Sequence, residues 1–233
     1  FRTWYSIGST EDVNYSGTFN GNGKTISGLY FDDNNEDGVG LFGYVYSGNI
    51  QNVGIKDSYF NGGDNVGSVV AHNYQGTVTG CYNTGTVSGG SNVGGVVGKN
   101  EEGTVTDCYN SGWIGSYDCN NVGGVLGGNI GTVSNCYNTG LISGQDCVGG
   151  VAGYSGGKVS NCYNTGEVYG QNMVGGVLGL NEEGSELINC YNTGKVSGGL
   201  SVGGVAGENY QGTISKCYYL KNTAEGGIDG ADA

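Results

Sequence analysis

The triplet Cys-Tyr-Asn recurs at Cys81, Cys108, Cys136, Cys162 and Cys190, and Cys217-Tyr218-Tyr219 closes the series. The intervals are 27, 28, 26, 28 and 27 residues. A second marker, Val-Gly-Gly or Val-Gly-Ser, starts at Val66, Val93, Val122, Val148, Val174 and Val202. Self-similarity at a period of roughly 20 to 50 residues confines a chain to a stacked architecture, because one unit alone cannot bury its apolar face.

Composition selects among stacked architectures. The 233 residues include 52 glycines and no proline. Helical repeats are excluded, since each interior glycine costs a helix about 1 kcal/mol. The glycines lack the every-third-residue period of collagen. The leucine pattern of leucine-rich repeats is absent, and a propeller blade needs about 40 residues or more. The sequence therefore predicts an all-β fold, a right-handed parallel β-helix (β-solenoid) of about seven regular coils of roughly 26–29 residues, each with three short strands. Residues 1–38 read as an N-terminal cap or entry coil, 39–220 as the solenoid, and 221–233 as a flexible tail or linker. The first regular unit diverges, with Val53 and Gly54 where later units carry Cys and Tyr.

In such a stack each side chain meets its counterpart one rung away. Asn83, Asn110, Asn138, Asn164 and Asn192 then form an amide ladder at a corner. Gly85, Gly112, Gly140, Gly166 and Gly194 mark a corner that positive φ would favour. Val105 and Cys108 are an odd number of residues apart, so a bend or bulge must separate them if both face inward. Six of the eight cysteines share one repeat position, which predicts a core ladder of small apolar thiols at Cys81, Cys108, Cys136, Cys162, Cys190 and Cys217. Rungs about 4.8 Å apart also leave neighbouring disulfides geometrically open. Cys119 and Cys147 precede the Val-Gly-Gly of successive units and form a candidate disulfide pair.

The formal charge is -13, from 8 basic against 21 acidic residues. That balance excludes a nucleic-acid footprint and association with an anionic membrane surface. No apolar run approaches the ~18 residues of a spanning helix. The chain begins at Phe1, as an excised or processed piece would.

Few residues suggest chemistry. His72 is the sole histidine, its row neighbour is Lys99, and no acid occupies the equivalent position next door, so it reads as a surface residue. Glu101/Glu102 and Glu182/Glu183 occupy equivalent polar turns and read as solvated corners. Cysteines on one line do not surround a zinc ion. Asp32, Asp33 and Asp37 lie in an acidic run that offers oxygen ligands to calcium, but without EF-hand spacing; a solvated turn is the stronger reading. No other cofactor and no catalytic residue is predicted. Tyr82, Tyr109, Tyr137, Tyr163, Tyr191 and Tyr218 follow the inward cysteines and should face out. They form a stripe, widened by Trp113 on the same flank, that suits sugar faces or a protein partner; packing beneath turns is the plainer alternative. Asn14-Tyr15-Ser16 is a glycosylation-type triplet.

Val39-Gly40-Leu41-Phe42-Gly43, the later Val-Gly-Gly-Val units, Gly103-Thr104-Val105 and Cys108-Tyr109-Asn110 resemble the GLUG-motif repeats of bacterial surface proteins. The run from Gly17 to Leu29 resembles the segment that precedes such repeats. The resemblance implies a large secreted or wall-attached parent, of adhesin type or beside an immunoglobulin-A peptidase domain. It brings no catalytic residues, since the repeats lie outside catalytic domains and no His-Glu-x-x-His occurs here. The expected function is thus a non-enzymatic extracellular structural or adhesion module. It would act as a stalk or a surface for a protein or glycan at the cell surface, with end-to-end self-association into a filament. The alternative is a carbohydrate-active or glycan-binding β-helix.

Overall fold

A computed structural model describes residues 4–115 and 118–228. Among them the chain is all-β without a helix, and its strands form parallel sheets of 19, 7 and 6 strands. Val66 pairs with Val93, Val93 with Val122, Val122 with Val148, Val148 with Val174 and Val174 with Val202. The Val-Gly-Gly marker is therefore one continuous row along a β-solenoid of about seven turns.

One coil runs from the third sheet (Asp146–Gly149) through the long sheet (Ala152–Ser155, Lys158–Ser160, Tyr163–Asn164) to the second sheet (Val168–Tyr169). This corrects the expected three strands per coil: the long sheet is itself bent at two places. In most coils the bends are residues in the left-handed region. Gln75, Glu102 and Gln211 make the first, at φ 54°, 53° and 57°. Asp107, Asn135, Asn161 and Asn189 make the second, at φ 54–56°. Asn and Asp reach this region more easily than other side chains. A left-handed residue resets the in/out alternation, which is how Val105 and Cys108 both become fully buried.

A third left-handed row precedes each Val-Gly: Asn65, Asn92, Asn121, Cys147, Met173 and Ser201. This row corrects the candidate disulfide. Cys147 occupies the slot of Asn121, whereas Cys119 lies in register with Gln145, whose N–H it accepts at 2.7 Å. The Cys147 thiol instead approaches the Met173 sulfur at 3.9 Å, and no bond joins it to Cys119.

The corner glycines have a reason different from the one expected. None of Gly85, Gly112, Gly140, Gly166 or Gly194 has positive φ. A Cβ on Gly112 would instead stand 1.9 Å from the carbonyl oxygen of Gly85, and one on Gly140 2.0 Å from that of Gly112. Successive rungs touch backbone to backbone there.

Inside, Ile50, Val78, Val105, Val133, Val159 and Leu187 form one buried row and Phe60, Val87, Ile114, Ile142 and Val168 another. Each such side chain contributes about 1.5–3 kcal/mol, against an ordering cost of roughly 1–2 kcal/mol per residue. A single coil is therefore unstable alone and gains its stability from its neighbours.

Both ends carry irregular coverings. Residues 4–32 form an incomplete coil over the first rung: Ile7 bridges Phe42, Tyr15 bridges Val45, and Thr18–Ser27 pairs with Asn49–Lys56 around a bulge. The rings of Tyr15 and Phe19 lie 4.9 and 5.3 Å from that of Phe42. At the other end, residues 221–228 stay on the stack instead of leaving as a tail. Gly204 and Val205 donate to the carbonyls of Gly226 and Gly227 at 2.7 and 2.9 Å, and Ala206 bridges Ile228. Residues 229–233 of the expected tail lie outside the described residues.

Candidate functional site

The repeat carries three side-chain columns and one interruption of its surface. The first column is polar and buried. Asn83, Asn110, Asn138, Asn164 and Asn192 have no exposed surface. Each of the first four donates from Nδ2 to Oδ1 of the next at 2.8 Å. Each also accepts the N–H of the glycine two residues on and donates to its carbonyl, as Asn110 does with Gly112 at 3.1 and 3.0 Å. A second ladder, which the sequence suggested only as polar turns, runs through Asn73, Asn100, Asn129 and Ser155, all fully buried. Its signal was the recurrence of Asn at one turn position.

The second column is the cysteine row. Cys81, Cys108, Cys136, Cys162 and Cys190 are buried free thiols, and Cys217 at the end of the row is half-buried. Their sulfurs donate to the carbonyl two residues back, Cys108 to Thr106 at 3.2 Å for example. Burial pushes the Cys136 thiol well up. Burial, then the charge of Asp146, raises Cys147 to about 12. Cys136 and Cys147 therefore stay protonated and fill space.

The third column is the tyrosine row. Tyr82, Tyr109, Tyr137, Tyr163 and Tyr191 stack at 4.8–5.0 Å between ring centroids, with planes within 2–5° of parallel. The ring faces inside the row are therefore spent on one another, and there it offers solvent only edges and hydroxyls. Tyr82 closes the near end over Gly54, where a Cβ would sit 2.1 Å from its ring. Tyr218 lies exposed at the far end. Tyr109, Tyr137 and Tyr163, each stacked on both sides, present no free ring face. Burial and the neighbouring phenols raise the pKa of Tyr109 and Tyr163, so the hydroxyls remain neutral donors.

Trp113 does not widen this stripe. The corner at Asn110–Gly112 turns the chain, and Trp113 falls on the second sheet in register with Thr86 and Leu141. There Trp113, Leu141 and Tyr169 are 37%, 44% and 50% exposed and flank a groove of about 350 Å³.

The acidic run is also dispersed. Asp32 accepts from Asn61 and Tyr30, Asp33 from the backbone and side chain of Asn35, and Asp37 from the N–H of Asp64. The three carboxylates do not converge on a calcium position, and no group of three metal-ligating side chains occurs among the described residues.

The surface interruption is at His72, which is not the surface histidine the sequence suggested. Its side chain is 12% exposed, and Nε2 lies 3.2 Å from Glu101 Oε2. Lys99 Nζ lies 2.7 Å from the same oxygen. Glu101 is two residues beyond Lys99, so it shares that face and reaches back one rung. The residue directly across from His72 in the row is Lys99, so in-register pairing does not reveal the bond to Glu101. Burial lowers the His72 pKa, Lys99 lowers it further, and Glu101 opposes both. The bond from Lys99 holds the Glu101 carboxyl below its usual range. Glu102 points elsewhere and accepts from Gln75 at 2.7 Å. Glu183 is exposed, as a solvated corner would be. Above His72 opens a cleft of about 420 Å³, bounded by Tyr44, Tyr46, Tyr74 and the acidic loop at Glu11 and Asp12.

Comparison with known proteins fits this architecture. The GLUG motif matches residues 62–88, 89–115, 144–169 and 170–197. Halomucin of Haloquadratum walsbyi is 38% identical over 79 residues, which is 34% of this chain and 1% of halomucin. The chain thus spans only about 1% of that relative's length. A solved structure from Bacteroides ovatus, described provisionally as an immunoglobulin A1 protease, superposes with a TM-score of 0.74 over 94% of this chain and 74% of that one. At 19% identity that likeness shows the fold alone. With the motif recurring in the register that builds the coils, the chain carries four GLUG-motif repeats.

Proposed function

We propose that the chain is a non-enzymatic spacer in a secreted or surface-displayed protein, holding a neighbouring part of its parent at a fixed distance. The observation that carries this reading is the unbroken asparagine ladder from Asn83 to Asn192. Bending the rod would open buried amide bonds, each of which is expensive to leave unmade. Seven rungs at ~4.8 Å give a regular core roughly 34 Å long. The carboxylates Glu101 and Glu102 diverge, which favours spacing over glycan hydrolysis. No helix among the described residues is long and apolar enough to cross a membrane. The names halomucin and immunoglobulin A1 protease support a surface or secreted setting. End-to-end assembly would have to use the far edge at Thr213–Ser215 and Tyr218–Tyr219, since the near end is covered.

The test is deletion of one coil, residues 122–147, with spin labels on either side. The expected result is an interlabel distance shortened by about 4.8 Å with an unchanged distribution width. A broad distribution in the parent chain would overturn the rigid-spacer reading. Release of reducing ends from a polysaccharide panel would overturn the non-enzymatic one.

A second reading, adhesion, has one observation in its favour: the exposed Trp113, Leu141 and Tyr169 on the second sheet. Loss of surface attachment by a Trp113→Ser, Tyr169→Ser variant, with folding unchanged, would support it.

A further inference from the structure

We propose that the cleft above His72 binds the ammonium group of an organic cation. The cleft exists because the N-terminal segment departs from the repeat. Tyr44 donates its N–H to the carbonyl of Gly8 at 2.7 Å and accepts from the N–H of Tyr15 at 2.8 Å. Both ends of the segment thus grip one residue, and the six residues between project as a loop. Thr10 and Glu11 carbonyls accept from Val13 N–H and Asn14 Nδ2 and hold its shape. The loop carries Glu11 and Asp12 over a floor of Tyr44 and His72.

The opposite wall is aromatic. Tyr46 and Tyr74 stack at 4.9 Å and 27°. Tyr46 is the first ring of its row: the preceding rung places Ser16 there, and Tyr46 is 48% exposed. Its outer face is not spent on a neighbour, in contrast to the rings of the long tyrosine column. Tyr44 meets the His72 ring edge-on at 5.7 Å.

Charge decides the class of ligand. Among the described residues no basic side chain comes within ion-pair distance of Glu11 or Asp12. His72 resists protonation, so it adds no positive charge at neutral pH. A cleft walled by one sign of charge concentrates ions of the other, and aromatic faces beside carboxylates are the usual surroundings of a bound ammonium group. The chain supplies its own precedent at the edge of the cleft, where the Lys99 ammonium rests on Glu101. The volume of about 420 Å³ suits a small ligand or one terminal group of a larger one.

The sole histidine makes the test direct, because its ring signals report on this cleft alone. Choline, N-acetyl-lysine and glucosamine would be titrated while the His72 resonances are followed. The neutral counterparts are 3,3-dimethylbutanol, an N-acetyl-lysine acetylated at Nε, and N-acetylglucosamine. We expect at least one cation to shift His72 with a dissociation constant of order 1 mM, and its neutral counterpart to bind about 2- to 30-fold more weakly. The three arms identify whether a quaternary amine, a lysine side chain or an amino sugar is the source. Glu11→Gln with Asp12→Asn, both exposed, and Tyr46→Leu should each weaken binding. Tyr163→Leu, outside the cleft, should not. Equal binding of cation and neutral counterpart would overturn the proposal, as would indifference to the loop carboxylates. A His72 shift absent for every cation up to about 10 mM, beyond the range of modest small-ligand affinity, would also overturn it.

Discussion

Asn110 donates from Nδ2 to Oδ1 of Asn138 at 2.8 Å while the same amide group donates to the carbonyl of Gly112 and accepts its N–H. One side chain thereby joins two rungs and closes a corner. It also touches the second marker of the repeat: a Cβ on Gly95 would lie 2.7 Å from Asn110 Cγ. Cys-Tyr-Asn and Val-Gly-Gly recur together because they pack against each other across the coil.

Replacing Asn110 by Leu should therefore cost about 3 kcal/mol, since it orphans buried polar groups on two rungs. Asn209→Leu, at an exposed ladder end, should cost less than about 1 kcal/mol. Urea unfolding compares the two. Equal losses would mean that the ladder adds nothing beyond local turn bonding.

The two kinds of glycine should separate cleanly. Gly140→Ala drives a Cβ to 2.0 Å from a backbone oxygen, and we expect a loss above about 3 kcal/mol or failure to fold. Gly184 has φ of 77° and nothing within 4 Å of a Cβ, so Gly184→Ala should cost only about 1–2 kcal/mol of left-handed strain. Gly184→Asn should recover most of that. Thermal unfolding of the three variants is the measurement.

Cys147 breaks a short amide ladder. Asn92 donates to Asn65 at 3.0 Å and Asn121 to Asn92 at 3.1 Å, and Cys147 follows at φ 52°. Cys147→Asn should relieve left-handed strain and extend the ladder, raising stability by about 1–2 kcal/mol. A lower unfolding midpoint would show that the Cys147–Met173 contact outweighs both effects.

His72 gives the chain a pH dependence with a definite sign. Its folded pKa is depressed, mainly by burial, so the unfolded chain takes up a proton first, near pH ~6.5. The associated stability is complete above that pH and is lost as pH falls through the folded value. Glu101, also depressed, acts with the same sign in the more acid range below ~4.3. We expect the His72 proton resonances to titrate below about 6.5, and Lys99→Met to raise the midpoint by removing a charge that lowers it. His72→Gln should flatten the stability profile below about pH 6.5. An unchanged profile would place the pH sensitivity elsewhere.

Thiol reactivity should follow position in the row. Cys217 at the open end is half-buried, whereas Cys108 and Cys136 are fully enclosed. An aromatic disulfide reagent at pH 8 should modify Cys217 first and reach the inner thiols only on unfolding. Rapid native labelling of Cys136, read by peptide mapping, would contradict the closed core.

Much of this was legible in the chain because a repeat converts sequence identity into spatial neighbourhood. The spacing of the cysteines by itself determined the stacking, the inward thiols and the Asn83–Asn192 ladder, since rung pairing puts like residues on like. It could not show how each coil bends. Left-handed φ at Asp107 or Cys147 is a backbone state, and only the tertiary structure shows which polar residues adopt it. Nor could it show that the tyrosine rings spend their faces on one another, or that Gly112 serves rung contact and not turn conformation. These depend on distances across the coil. The Glu101–His72 bond and its cleft were hidden for the same reason. They join neighbouring rungs diagonally, under a loop that does not repeat, and periodicity carries no information about what breaks it.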